Sequence, residues 1–350
     1  NDAPVITSDG GGAAAALNLA ENTTAVTTVT STDVDGGTPT YSIAGGADAA
    51  LFSIDGASGA LTFNTAPNFE APADAGANNV YDVTVQVSDG NGGTDTQTIS
   101  ITVSDDNEAP TDIAPNSFSI NENVDTTGGV SLGTLTATDV DSGDTATYTI
   151  VPGGDGALFS IGGASSDELI LTDGVLNHEA KPSYTVTVRV TDGAANTYDE
   201  VLTVTVNDLN EAPSITSTAT TGATEDTPYS YAITTTDPDT GAVLAITAPT
   251  LPAWLTLTDN GDGTATLSGT PTNAEVGAHN VVLQVADQGA LTDTQAFTIT
   301  VTNTNDAPVI TSDGGGAAAA LNLAENTTAV TTVTSTDVDG GTPTYSIAGG

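Results

Sequence analysis

The opening segment of this chain, Asn1–Gly46, recurs letter for letter as Asn305–Gly350. A sequence that starts over in this way reads as an array of small modules in series, each burying its own core, and not as one large globule. Four short motifs punctuate it: Asn1-Asp2-Ala3-Pro4, Asn107-Glu108-Ala109-Pro110, Asn210-Glu211-Ala212-Pro213 and Asn305-Asp306-Ala307-Pro308. They stand roughly a hundred residues apart, the length of one β-sandwich. The expected domains are therefore 1–106, 107–209 and 210–304, followed at 305–350 by the first part of a repeated module that lacks its closing strands. That last segment reads as a module cut short, with strand addition from another chain as the alternative.

Within each module the side chains alternate with a period of two. Tyr81, Val83, Val85 and Val87 are interleaved with Asp82, Thr84 and Gln86; a turn at Asp89-Gly90-Asn91-Gly92-Gly93 then leads into Ile99, Ile101 and Val103. This is the pattern of a β-hairpin with one face buried. It returns at Tyr184–Val190 with Leu202, Val204 and Val206, and at Val281–Val285 with Phe297, Ile299 and Val301. No segment combines helical periodicity with caps, so the predicted class is all-β: tandem Greek-key β-sandwiches joined in a linear rod.

Charge narrows the partners. There are 45 acidic residues against two basic ones, Lys181 and Arg189, for a net charge of −43. Such a surface repels nucleic acid and anionic lipid, and it asks for cations to offset its self-repulsion. Composition does not suggest disorder, because 37% of the residues are hydrophobic and fall in ordered alternation. With no Cys, neither disulfides nor thiolate sites can hold the modules, so any metal must be bound through oxygen. No apolar run reaches the roughly 18 residues of a membrane span. The absence of Met marks an internal segment or a processed product.

The acids keep register between modules. A glutamate precedes an Asp-x-Asp each time: Glu21 with Asp33 and Asp35, Glu122 with Asp139 and Asp141, Glu225 with Asp237 and Asp239, Glu325 with Asp337 and Asp339. Glu70 and Glu179 recur in the first two modules, Asp89, Asp192 and Asp287 recur at the penultimate turn, and Asp105, Glu108, Asp208 and Glu211 flank Asn107 and Asn210 in the linkers. Taken singly, Asp-x-Asp-Gly is an ordinary turn. Recurrence together with the upstream glutamate and the linker acids reads instead as calcium, which takes six to eight oxygen ligands in a flexible shell.

Leu176-Asn177-His178-Glu179-Ala180, Tyr184–Asp192 and Asp208-Leu209-Asn210-Glu211-Ala212-Pro213 stand in the order and spacing of cadherin motifs, and the first two modules resemble cadherin repeats of the bacterial, short-linker form. The resemblance implies calcium between successive domains. It would be held at the first junction by Glu21, Glu70, Asp105, Asn107 and Glu108 with Asp139, Asp141 and Asp192. At the second it would be held by Glu122, Glu179, Asp208, Asn210 and Glu211 with Asp237, Asp239 and Asp287. Asn68 and Asn177 stand where the family places Asp, which lowers the charge available. The third module, with Leu251-Pro252-Ala253-Trp254-Leu255 and Leu267–Gly277, resembles the dystroglycan-type cadherin-like and immunoglobulin-like domain of bacterial surface proteins. It lacks the second glutamate, for which Glu275 is the candidate replacement, and it has Asn303 where the others have Asp105 and Asp208. The expectation is a weaker third site from Glu225, Asn305, Asp306, Asp337 and Asp339.

The function this implies is a calcium-stiffened extracellular, cell-surface stalk segment of a large bacterial adhesin, spacing it for attachment. Its partners would be calcium ions, neighbouring repeats and other copies of the chain, without nucleic acid and without membrane insertion. A filament or sheath subunit and a carbohydrate-binding accessory module are the alternatives. An enzyme is not expected: His178 and His279 lack a metal-ligand set, and no Gly-x-Ser-x-Gly elbow occurs.

Overall fold

The computed structural model describes residues 1–349; Gly350, the last residue of the repeated segment, lies outside the described residues. The chain is all-β. Among the described residues the only helical elements are 3-10 turns of three residues, such as Ala49–Leu51 and Gly156–Leu158. Contacts divide it into two compact units, residues 1–176 with 183–205, and residues 177–182 with the chain from Val206 onward.

The first unit contains two sandwiches. In the first, a four-stranded sheet runs in the order Ala14–Ala20, Thr94–Ser104, Val80–Ser88, Thr40–Gly45 and faces a three-stranded sheet of Ala25–Thr28, Ala60–Phe63 and Phe52–Ile54. Its closing hairpin pairs Val80–Ser88 with Thr94–Ser104 antiparallel, while Ala14–Ala20 joins the last strand in parallel, from Ala14 opposite Thr98 to Ala20 opposite Ser104. The alternation read from sequence is the burial pattern observed: Val83, Val85, Val87, Ile99 and Ile101 are fully buried, with Thr and Ser between them facing out. Each such side chain contributes about 1.5–3 kcal/mol by leaving water. Phe63 packs against Phe52 with ring centroids 4.4 Å apart and edge-on against Tyr81 at 5.1 Å. The Tyr81 hydroxyl accepts the Ala73 N–H, so its buried polar end is satisfied.

The second sandwich repeats the plan, with sheets ordered Ser117–Asn121, Thr197–Asn207, Ser183–Thr191, Thr147–Val151 and Val130–Thr134, Glu168–Leu171, Phe159–Gly162. The second unit holds a sandwich of two four-stranded sheets: Ser214–Ile215, Tyr229–Thr236, Thr264–Gly269, Leu255–Asp259, and Gly222–Thr224, Thr292–Thr302, Gly277–Ala286, Ala245–Thr250. Trp254 packs on its core, edge-on to Tyr229 and to His279. Among the described residues of the repeated segment only Val309–Ile310 and Ser335–Thr336 pair. Identical sequence gives different burial there: Tyr41 is 9% exposed and its counterpart Tyr345 is 52% exposed. The strands that cover Tyr41 have no equivalent in 305–349.

Candidate metal centres

Each module turns one glutamate inward by the same local device. Glu21 directly follows the strand Ala14–Ala20, and its N–H extends the parallel ladder to Ser104 O. The next residue, Asn22, has φ 60° and donates its N–H to Pro67 O. Glu122 is followed by Asn123 at φ 63°, bonded to Leu176 O, and Glu225 by Asp226 at φ 56°, bonded to Pro271 O. Asn and Asp visit this left-handed region more readily than other side-chain-bearing residues, which gives the Glu-Asn and Glu-Asp pairs their meaning. The three glutamates are 1%, 1% and 2% exposed.

At the first linker, Glu21, Glu70, Asp105 and Glu108 each present a carboxylate oxygen within 4.8 Å of the others. Two unit charges at that separation repel by about 1 kcal/mol even at the dielectric of water. Glu21 spends both oxygens on backbone donors, Oε2 accepting Phe69 N–H at 2.8 Å and Oε1 accepting Asp106 N–H at 3.2 Å. Asn22 Nδ2 donates to Glu108 Oε1 at 2.7 Å. Beyond the linker a second group forms from Asp139, Asp144 and Asp192. Asp141 lies between the two, with Oδ2 accepting the Glu108 N–H at 2.8 Å, while Asn107 Nδ2 donates to Asp192 Oδ2 at 2.7 Å.

The electrostatics record the crowding. Desolvation, followed by the charge of Glu21 and neighbouring acids, raises Glu70 and Glu108 above the usual carboxylate range. Desolvation, then Asp105 and Asp139, raises Asp141. Asp192 goes the other way: against desolvation, hydrogen bonds from Asn107 and Asn196 hold it low.

Within the second unit, Glu179, Asp208 and Glu211 bring carboxylate oxygens within 4.8 Å of one another. Glu211 N–H donates to Asp239 Oδ2 at 2.9 Å and Asn210 Nδ2 to Asp287 Oδ2 at 2.5 Å, reproducing the linker geometry of the first unit. Asp237 is raised by desolvation, then by its hydrogen-bonded neighbour Asp239 and by Asp287. A further group consists of Glu225, Asp306 and Asp339, with the Asp306 N–H bonded to Asp339. Of the other residues expected there, Asn305 bonds to Asp306 O and Asp337 to the Asp339 N–H. Glu275 does not replace the missing glutamate. Its carboxylate closes a capping box with Thr272 over the 3-10 turn Asn273–Glu275.

Four of the buried oxygens in or beside these groups have no hydrogen-bond partner: Glu108 Oε2 and Glu225 Oε2 within them, and Asp141 Oδ1 and Asp237 Oδ2 on the neighbouring Asp-x-Asp turns. Leaving a buried acceptor bare costs about 1–3 kcal/mol, and more when it is charged. Groups of carboxylate oxygens with bare members fit a hard divalent cation and offer nothing to a soft one. Sequence reasoning missed Asn22, Asp144 and Asn273. The Asn or Asp following each inward glutamate carried a recurring signal; the acid at Asp144 and the amide at Asn273 have no counterpart in the other modules. The acid-rich stretch Asp259–Gly263 is the turn of a β-hairpin, and the two histidine rings bond to Val206 O and Glu275 O.

Three family models match the chain in tandem: residues 1–102 a "Bacterial Ig domain", 116–207 a "Cadherin domain" and 212–302 a "Putative Ig domain". Among solved structures the chain is similar to the protocadherin gamma-B4 extracellular domain (TM-score 0.57, 23% identity), covering 97% of this chain and 57% of that one. It is likewise similar to protocadherin gamma-B2 extracellular cadherin domains 1–5 (TM-score 0.55, 21% identity; 97% and 67%) and to mouse cadherin-23 EC22–24 (TM-score 0.51, 19% identity; 87% and 100%). The chain thus spans little more than half the length of the first of these. It is a tandem array of cadherin-like and immunoglobulin-like β-domains, families of structural and adhesive modules and not of enzymes.

Proposed function

We propose that this chain is a spacer segment of a large extracellular bacterial surface adhesin, with domains at 1–106, 107–209 and 210–304, whose junctions are stiffened by calcium for cell-surface or cell-cell attachment. The observation that carries the reading is the convergence of Glu21, Glu70, Asp105 and Glu108 beside the bare oxygens of Glu108 and Asp141. Calcium would supply the positive charge that the linker lacks. The chain's own residues do the rest. The inward turn after Ala20 fixes Glu21 at the base of one module, and Asn107 and the Glu108 N–H tie the linker to Asp192 and Asp141 of the next. Asp139, Asp144 and Asp192 make a second group at the same junction, and Glu179, Asp208 and Glu211 provide the corresponding set in the second unit.

Without a cation the acids repel and the linker is free to bend. With one, opposing carboxylates share a counter-charge and adjacent modules lock. Extracellular calcium modules work at dissociation constants of roughly 10⁻⁴ to 10⁻³ M, which matches millimolar calcium outside cells. Membership in cadherin-like and immunoglobulin-like families supports the extracellular assignment, and no helix among the described residues is long and apolar enough to cross a membrane. Small-angle scattering of the chain with calcium and with chelator, beside calorimetric titration, tests the reading. A narrower, more extended distribution with bound ions is expected; an unchanged profile and no binding heat would overturn it.

A further inference from the structure

The acidic group of Glu225, Asp306 and Asp339 differs from that at the first linker in how its buried glutamate is held. Glu21 gives each oxygen to a backbone N–H, from Phe69 and from Asp106. Glu225 receives the second of these, with Thr304 N–H on Oε1 at 2.7 Å, but not the first. The reason is local. The stretch after Pro271 winds into the 3-10 turn Asn273–Glu275, closed by the Thr272 capping box, so its amides serve the turn and not the glutamate. Glu225 Oε2 is therefore bare on a side chain that is 2% exposed, in a group with Asp306 and Asp339. The same turn projects Asn273 into the group, where Nδ2 lies 2.9 Å from Asp339 Oδ1 and 3.1 Å from Asn303 Oδ1.

We propose that Asn273 is a ligand of a cation held by Glu225, Asp306 and Asp339, a neutral oxygen standing in for the glutamate that Glu70 supplies at the first linker. This rests on the calcium reading above. The amide reaches the group already; a half-turn about its last torsion exchanges nitrogen for oxygen and presents Oδ1 to the ion. One carboxylate fewer lowers the charge of the ligand set, and ligand charge is what tunes calcium affinity. The junction after the third module is thereby set to release its ion first.

The test is calorimetric titration of the full chain with calcium, in four forms. Glu225→Gln identifies the binding phase of this group, since it removes the charge and keeps an oxygen for Thr304. Asn273→Asp should tighten that phase by roughly tenfold and Asn273→Ala should weaken it severalfold, with the other phases unmoved. Circular dichroism melts confirm that each variant folds. If Glu225→Gln removes no phase, the calcium reading of this group falls, and the role of Asn273 with it. If the phase is present but Asn273→Ala leaves it unchanged, Asn273 is not a ligand. If Asn273→Ala tightens it, the amide is a latch that competes with the ion, which also overturns the proposal.

Discussion

The proposed calcium binding makes a prediction that Arg189 reads out directly in the second module. Trypsin has two candidate bonds in the whole chain, and Lys181 is followed by Pro182, which trypsin does not accept. The other, Arg189–Val190, lies within the strand Ser183–Thr191, paired across its full length from Ser183 opposite Thr205 to Thr191 opposite Thr197. Arg189 is itself clamped to Asp199 by Nε at 2.7 Å and Nη2 at 2.8 Å, while Val188 and Val190 are fully buried. Cleavage thus requires the hairpin to open, and where reclosing outpaces cutting its rate follows the open population. Asp192 sits three residues on and belongs to the group with Asp139 and Asp144, so opening the hairpin dismantles that group. A cation bound only to the closed form slows cleavage by one plus the ratio of its concentration to its dissociation constant. At 10 mM calcium and a constant of roughly 10⁻⁴ to 10⁻³ M, the factor is about 10 to 100. The assay is the time course of two fragments, 1–189 and 190–350, by mass spectrometry with and without calcium, with a small amide substrate to correct for trypsin's own response. Equal rates in both conditions would refute the reasoning, as would full protection persisting in Asp192→Asn.

Two further outcomes are expected. Leu61→Ala opens a cavity in the first sandwich, where Leu61 is 1% exposed, and should cost about 2–5 kcal/mol in urea unfolding, equally with and without calcium; a loss that vanishes in calcium would show that core and junction are not separable. Metal-free stability should rise as pH falls toward 4.5. Glu70, Glu108 and Asp141 are raised in the folded state, so folding takes up protons; this contribution is complete below their ordinary values of 4.5 and 3.8 and is lost as pH climbs through the raised ones. Asp89, Asp192 and Asp199 are lowered and act oppositely, losing stability as pH falls below 3.8. Thermal melts across pH in chelator check this, and a stability that only falls from pH 7 to 4.5 would contradict it.

The strands were legible because period-two alternation is a direct consequence of a sheet with one wet face, and the burial of Val83, Val85 and Val87 follows it residue by residue. Recurrence between modules made Glu21, Glu122 and Glu225 visible as a set, although their burial came from the left-handed residue behind each one. What sequence could not show is how acids divide in space. The eight residues named for the first junction separate into two groups joined by Asp141 and Asn107, and Asp144 enters one of them from a loop position where the neighbouring modules carry Thr38 and Ala242. Glu275 was misplaced for a related reason: a carboxylate one turn from the right position was already committed to closing its own 3-10 turn.

The parallel pairing of the first module's opening and closing strands has a mechanical consequence. Tension along the array pulls Ala14–Ala20 by its beginning and Thr94–Ser104 by its end, in opposite senses. The ladder between them is then loaded in shear, so its hydrogen bonds must fail together and cannot be peeled one at a time. In the first module that ladder runs from Ala14 to Ala20, whereas in the third it is only Gly222–Thr224 against Thr300–Thr302. Under load the third module would yield before the first, a fuse in series with a stronger link.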